Sequence, residues 1–141
     1  MAIRVCELSE PLPTEIGLLS EIRVILVDGN LMRGRIPSEM GQLSTFLDHL
    51  GLSVNQFEGS IPTELGNMSK MITLNMHTND FTGTIPSELG NISKLGVVTI
   101  FNNEQLSGSV PTEICELTNL SVIQIPFSVQ CDCDGNLCFQ E

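Results

Sequence analysis

The sequence has little positive charge, with 6 Lys and Arg against 17 Asp and Glu in 141 residues and a net charge of −11. Binding to phosphate backbones requires clustered Lys and Arg, so this balance excludes nucleic acid and disfavours anionic membranes. The chain has a single alanine and no Trp or Tyr, whereas 12 Gly and 7 Pro interrupt it, which argues against a helix bundle. No apolar run reaches the roughly 18 residues of a membrane-spanning helix, and the first ten residues lack the apolar stretch of a signal peptide.

What the sequence does have is a repeat. A tetrapeptide of the form apolar-Pro-Ser/Thr-Glu occurs five times, and successive prolines are 24 or 25 residues apart. Each of the last four copies is preceded by two apolar residues two positions apart, then by an Asn three residues later, and then by a Gly. The asparagines at this position are Asn30, Asn55, Asn79 and Asn103.

Each part of the repeat indicates a local structure. Apolar residues two apart favour one face of a β-strand, and Pro followed by Glu suits a short helical turn. The Asn side chains are expected to bond the turn that leaves each strand, and stacked copies are expected to bond each other. One repeat cannot bury its own apolar edge, so the repeats are predicted to stack into a solenoid.

The full pattern, L-x-x-L-x-x-L-x-L-x-x-N-x-L-x-G-x-I-P-x-E-L-G, resembles the plant-type leucine-rich repeat over residues 1 to 130. This type occurs in receptor-kinase ectodomains, receptor-like proteins, polygalacturonase inhibitors, and secreted or membrane-anchored proteins of microalgae. The resemblance implies an α/β fold, a right-handed solenoid with a concave parallel sheet and short 3₁₀ or helical turns on its convex side.

The repeat frame divides the chain into a truncated first repeat (1–18), four full repeats (19–42, 43–67, 68–91 and 92–116) and a degenerate last repeat with a Cys-rich cap (117–141). One extra residue between Phe46 and Leu50, and another between Asn103 and Leu106, are expected to bulge beside the sheet. Ser128 takes the Asn position of the last repeat. Because the first repeat is incomplete, we expect the chain to be a piece of a longer protein.

Four cysteines near the C-terminus, Cys115, Cys131, Cys133 and Cys138, predict a cap closed by disulfides, as in many extracellular proteins of this family. Three pairings are possible and stay open, although Cys131 and Cys133 are too close in sequence to pair comfortably. Asp134-Gly135 indicates a turn between them and Cys138. A zinc site is the rival interpretation, but no His lies nearby and C-x-C-x₄-C is not a usual zinc spacing. Cys6, at an Asn position, would be the unpaired cysteine.

Three N-x-S sequons, at Asn67, Asn91 and Asn119, are candidate glycosylation sites. Repetition of L-G-N-x-S also explains the first two without glycans. Together with the Cys-rich cap, the family resemblance implies an extracellular or cell-surface location.

The sequence offers little for catalysis and implies no cofactor or metal. His49 and His77 lie at different positions of adjacent repeats, and a four-residue offset along a strand separates them by roughly 13 Å. The column of repeat glutamates is expected to favour the helix dipoles of the turns rather than to bind a cation. These are Glu15, Glu39, Glu64, Glu88 and Glu113. A non-enzyme is predicted.

Residues that flank the inward strand residues should point out of the concave face, where they are free to contact a partner. Phe101, beside His77 and Asn75, is the best candidate anchor, and Asp28 is the only charged residue predicted on this face. The ligand-binding candidates are His49, Ser53, Thr73, Asn75, His77, Thr99 and Phe101.

The predicted function is a recognition module that binds a protein, peptide or glycan through the concave face, in a receptor-like or secreted protein. The alternatives are an inhibitor of a secreted polysaccharide hydrolase and a structural or adhesive cell-surface protein. The sequence leaves the oligomeric state open.

Overall fold

The computed structural model describes residues 7–133 and 137–141, which form a solenoid. Its main sheet has six parallel strands in chain order, because every repeat adds one strand beside the last. Adjacent strands pair 24 or 25 residues apart through the first five, as the repeat length requires. The strands are β1 (Val24–Leu26), β3 (His49–Gly51), β5 (Thr73–Asn75), β7 (Val97–Thr99), β10 (Val122–Ile125) and β12 (Cys138–Gln140).

The convex side consists of short helical turns, each of which begins directly after the proline of a repeat. Proline suits this position because it has no N–H and its φ is already close to helical. Four turns are 3₁₀ helices and the fifth is a single α-helical turn, so the predicted fold class is confirmed. The turns are Thr14–Leu18, Ser38–Leu43, Thr63–Asn67, Ser87–Asn91 and Thr112–Cys115. None of the helices in the described residues is long and apolar enough to cross a bilayer.

A second set of parallel strands, which the sequence analysis did not predict, lies between the main sheet and the turns. It follows each Asn and reaches the Gly of the repeat, where φ is between +77° and +86° at Gly34, Gly59, Gly83 and Gly108. The signal was the apolar residue two positions before that Gly, as in Phe57-x-Gly59. The strands are β2 (Arg33–Gly34), β4 (Gln56–Ser60), β6 (Asp80–Gly83) and β8 (Gln105–Leu106), with β9 (Gly108–Ser109) paired to β11 (Val129–Gln130).

The core is a continuous apolar stack between these layers. The inward residues of neighbouring strands, such as Leu50, Leu74 and Val98, are fully buried and lie in register. Phe57 and Phe81 of the second sheet stack with ring centroids 6.4 Å apart. Each repeat therefore buries its apolar side chains against its neighbours, as the solenoid prediction requires.

The asparagines tie neighbouring repeats together through the backbone. Asn79 donates from Nδ2 to the carbonyl of Met76 in its own repeat and to that of Leu52 in the preceding repeat. Its Oδ1 accepts the Phe57 N–H at 3.0 Å. Asn55 and Asn103 make equivalent bonds. The prediction of Asn-to-Asn hydrogen bonds was therefore wrong, because the Asn side-chain amides bond backbone groups that would otherwise be unpaired.

The two extra residues are accommodated differently. The helical turn that leads into the second repeat, Ser38–Leu43, has six residues where the other 3₁₀ turns have five, and the Leu47 N–H reaches back to the Leu43 carbonyl at 3.4 Å. Strand β3 pairs without interruption, so the bulge expected beside the sheet there was wrong. The solvent-facing turn lengthens more easily than a hydrogen-bonded strand. The other extra residue lies in a turn closed by the Leu106 N–H and the Asn103 carbonyl, beside the second sheet and not beside the main sheet that the sequence predicted.

Some sequence predictions concern parts of the chain that the structure does not describe. Cys6 lies outside the described residues, as does the Asp134-Gly135 turn. At Ser128, where a fifth Asn would be, the chain turns through a hydrogen bond from the Val129 N–H to the Pro126 carbonyl.

Candidate functional site

The outward side of the main sheet, called here the concave face, carries three rows of side chains. The first row contains Val24, His49, Thr73, Val97 and Val122, and the second contains Leu26, Gly51, Asn75, Thr99, Gln124 and Phe139. The row nearest the C-terminal ends of the strands is called the third row and contains Asp28, Ser53, His77 and Phe101. Backbone hydrogen bonds continue past the strands at this level, from the Gly29 N–H to the Ser53 carbonyl at 2.9 Å and from the Thr78 N–H to the Phe101 carbonyl at 2.9 Å. The backbone therefore holds the side chains of this row in fixed positions, about 4.8 Å apart from one repeat to the next.

Five of the seven predicted ligand-binding residues reach the surface of this face. His49, Thr73, Asn75, His77 and Phe101 are all partly exposed.

The other two, Ser53 and Thr99, are buried at 2% and 8% exposure, so the exposure expected for them was wrong. The backbone N–H of Ser53 donates to Asp28 Oδ1 at 2.9 Å, which brings the Asp28 side chain close to Ser53. The hydroxyl of Thr99 donates to Asn75 Oδ1 at 3.1 Å. Ser53 and Thr99 are thus each hydrogen-bonded to an outward side chain of the preceding repeat.

The most distinctive feature of the face is an aromatic pair. The rings of His77 and Phe101 stack at a centroid distance of 4.5 Å and an interplanar angle of 6°. They meet because they occupy the same position on neighbouring parallel strands. His77 Nδ1 lies 3.1 Å from the hydroxyl of Thr78, which fixes the ring further. The pair is partly exposed and lies outside the core cluster.

The electrostatics around His77 favour a neutral ring. Burial lowers its pKa below the usual 6.5, and the negative charges of Asp28 and Glu141 offset only part of this effect. At neutral pH the imidazole is therefore uncharged and presents an apolar, hydrogen-bonding surface.

The C-terminal segment contributes to this face, which the sequence analysis missed. Strand β12 pairs in parallel with β10, and this places Phe139 beside Gln124 and Glu141 at the end of the sheet. Gln124 Nε2 donates to Glu141 Oε1 at 2.8 Å. The alternation of Leu137 and Phe139 around an inward Cys138 indicates a strand, but the neighbouring cysteines favour the interpretation of the whole segment as a disulfide-closed cap. Asp28 is therefore not the only acidic side chain on this face.

Comparisons with known proteins agree with this fold. The model of the leucine-rich repeat family matches residues 46–68 and 70–92. Among solved structures, PEPR1–AtPEP1 is 32% identical over 93% of this chain, with a TM-score of 0.86. The chain is a plant-type leucine-rich repeat protein. No curated protein sequence matches it.

Two further solved structures are similar to this leucine-rich repeat protein. The Arabidopsis receptor kinase HAESA, in complex with the peptide hormone IDA and the co-receptor SERK1, is 30% identical over 86% of the chain with a TM-score of 0.79. The plant peptide hormone receptor RGFR1, in complex with RGF2, is 28% identical over 83% with a TM-score of 0.77. The chain spans 18–20% of the length of these three proteins.

Two disulfides close the C-terminal end of the leucine-rich repeat stack. Cys115 pairs with Cys133 and Cys131 pairs with Cys138, with Cα atoms 5.2 Å and 6.3 Å apart. This selects one of the three pairings that the sequence left open. The sulfurs of Cys131, Cys133 and Cys138 lie within 4.8 Å of one another, a spacing that would also suit a metal ion. Metal binding requires thiolates, which the disulfides remove.

The candidate glycosylation sites lie away from the concave face. Asn67 and Asn91 are exposed at the ends of two convex turns. Asn119 is also exposed, but its Nδ2 already donates to the Ser93 carbonyl at 2.7 Å. Attachment of a glycan at Asn119 would compete with that bond, so Asn67 and Asn91 are the better candidates.

The remaining polar groups follow the repeat rather than converge. His49 pairs in register with Thr73, so His77 lies four residues further along the next strand. The repeat glutamates occupy the first turn of each convex helix, where their negative charge favours the helix dipole. Four of them accept a bond from the preceding Ser or Thr hydroxyl at 3.3–3.4 Å.

Proposed function

We propose that this protein is a non-catalytic recognition module that binds an extended peptide along its concave face. The carrying observation is the stacked and partly exposed pair of His77 and Phe101. Rigid aromatic surface on a fixed backbone is the kind of anchor that dominates binding energy at interfaces. A sheet face built of parallel strands also offers a long, regular track on which an extended chain can lie.

The solved structures support a peptide rather than a glycan. The similar proteins HAESA and RGFR1 are described in complex with a peptide hormone and as a peptide hormone receptor, respectively. The two disulfides are typical of an oxidising compartment, which supports an extracellular or cell-surface location. We therefore infer a place in a receptor-like ectodomain, with a peptide or protein partner.

Peptide binding is tested by selection from a random peptide library displayed on phage, with the protein immobilised in its oxidised form. The variant His77→Ala, Phe101→Ala removes the aromatic pair without touching core side chains. Loss of two anchor residues is expected to weaken the selected peptides about 30-fold or more.

The matched control is Phe46→Ala, Lys70→Ala, which removes an exposed aromatic ring and a polar side chain from the loops that follow two convex turns. This control is expected to bind the selected peptides like the wild type. Equal binding by the wild type and the concave variant would contradict the proposed site. If selection yields no peptide but the protein slows a secreted polysaccharide hydrolase, the inhibitor alternative replaces the proposal.

A further inference from the structure

The concave face is more acidic than its three rows suggest. Asp28 follows β1 and Glu141 follows β12, at opposite ends of the third row, and Asp48 directly precedes β3. Asp48 forms the one ion pair found within the described residues, at 3.4 Å to Arg23. The rows themselves contain no Lys or Arg, so Asp28 and Glu141 have no cationic partner on this face. The face therefore complements a positively charged ligand.

Asp28 is held over the face by the backbone of the next repeat. Its Oδ1 accepts the Ser53 N–H at 2.9 Å, while both carboxylate oxygens occupy the space that a side chain at Gly51 would fill. The position of the charge is therefore fixed by the fold rather than by solvent.

The hydroxyl of Ser53 adds a second, independent sign of a ligand. Ser53 is 2% exposed, and its Oγ has no hydrogen-bond partner among the described residues. A buried hydroxyl without a partner costs free energy, and a polar group of a ligand would restore the missing bond. Ser53 stands in the third row, between Asp28 and His77.

Glu141 is the corresponding group at the other end. Gln124 holds its Oε1 at 2.8 Å, and the side chain remains exposed. Both Asp28 and Glu141 act on His77 by raising its pKa against the dominant effect of burial. The two carboxylates thus flank the aromatic pair.

We propose that the ligand of this face is an extended basic peptide, with Lys or Arg side chains that pair with Asp28 and Glu141 on either side of the His77–Phe101 pair. The two carboxylates follow the first and sixth strands, up to about 24 Å apart along the sheet. An extended peptide spans that distance in about seven residues. This inference rests on the proposed function and specifies its ligand class.

The test uses three fluorescein-labelled peptides of about eight residues, made of Gly and Ser with a central Leu. One has Arg at both ends, one has Glu at both ends, and one has only Ser there. The oxidised protein is titrated by fluorescence anisotropy at low and high salt. The Arg peptide is expected to bind at least about tenfold more tightly than the other two, and its advantage is expected to shrink at high salt.

The variant Asp28→Asn, Glu141→Gln keeps the acceptors for the Ser53 N–H and the Gln124 amide but removes both charges. It is expected to bind the Arg peptide about tenfold more weakly. The matched control Glu64→Gln, Glu88→Gln removes the same charge from the convex side and is expected to bind like the wild type.

Equal weakening in both double variants would show that only the net charge of the protein attracts the peptide, and would overturn the inference. Equal affinity for the Arg and Ser peptides would overturn it too. The proposed function has a separate readout, since library peptides that depend on His77 and Phe101 but not on Asp28 and Glu141 support the peptide site while refuting its basic specificity.

Discussion

One position in each repeat forces its residue into the left-handed region of backbone space. It directly precedes the asparagine of the repeat, and φ there is +69° at Gly29, +57° at Val54, +58° at Thr78 and +52° at Asn102. Glycine and asparagine tolerate this conformation, but a β-branched residue does not. The repeat geometry imposes it all the same, because the N–H groups of Val54 and Asn55 bond carbonyls of the next repeat.

Replacement of Val54 by Asn, the residue found at this position in the fourth repeat, should therefore stabilise the protein. Relief of left-handed strain is worth about 1–2 kcal/mol. Val54 is 48% exposed, so the substitution also loses roughly half of the stabilisation that a fully buried valine side chain would give. We expect Val54→Asn to raise the free energy of unfolding by about 0.5–1 kcal/mol, measured by urea titration.

The matched substitution is Val97→Asn, on a half-buried valine of β7 with extended backbone. Here burial is lost and no strain is relieved, so stability should fall. If both replacements lower the free energy of unfolding by the same amount, the left-handed backbone at Val54 does not destabilise the protein.

Among the elements, the convex turns pack closely against one another. The glycine that follows Glu-Leu in the motif lies against the next turn, and a Cβ at Gly66 would collide with the backbone carbonyl of Glu88. Gly41 and Gly90 meet the glutamates of the following repeats in the same way. The turns thus set the separation of the repeats on the convex side, while the strands set it on the concave side.

The added Cβ in Gly66→Ala should therefore push the turn Thr63–Asn67 away from the turn Ser87–Asn91. Overpacking against backbone atoms costs about 1–3 kcal/mol, and we expect a loss of that size in the free energy of unfolding. Gly96→Ala is the control, since the nearest atoms to a Cβ at Gly96 lie at 3.5 Å or beyond. Thermal and urea unfolding of both variants make the comparison, and a Gly66→Ala variant as stable as Gly96→Ala would refute close packing of the turns.

The elements also show what a sequence can predict here. Strands β1 to β10 of the main sheet and the convex turns were predicted because their apolar spacing repeats without a gap. The second sheet was missed because its strands carry only one inward side chain each, such as Phe81, before a Gly of positive φ. Strand β12 was missed because its pairing depends on the disulfide-linked end of the chain rather than on the repeat. The packing of His77 on Phe101 follows from register, but the depth of Ser53 depends on the neighbouring Asp28 side chain.

At the scale of the whole molecule, the two ends of the stack differ. The C-terminal end is covered by β12 and by the segment that Cys115–Cys133 and Cys131–Cys138 hold in place. Towards the other end, an apolar pocket of about 350 Å³ is lined by Leu12, Ile16, Leu19 and Ile25 among others. Apolar side chains that reach the surface in one patch favour association.

We therefore expect this end to bind a second copy of the chain at high protein concentration, giving a dimer by analytical ultracentrifugation. Leu19→Lys places a charge at the rim of the pocket, on a side chain that is already 47% exposed, and should weaken the dimer about tenfold while circular dichroism stays unchanged. The control is Phe127→Lys, a 77% exposed ring away from this pocket, which should leave the dimer intact. A wild-type chain that stays monomeric, or a dimer that Phe127→Lys weakens as much as Leu19→Lys does, would show that this apolar pocket is not the contact.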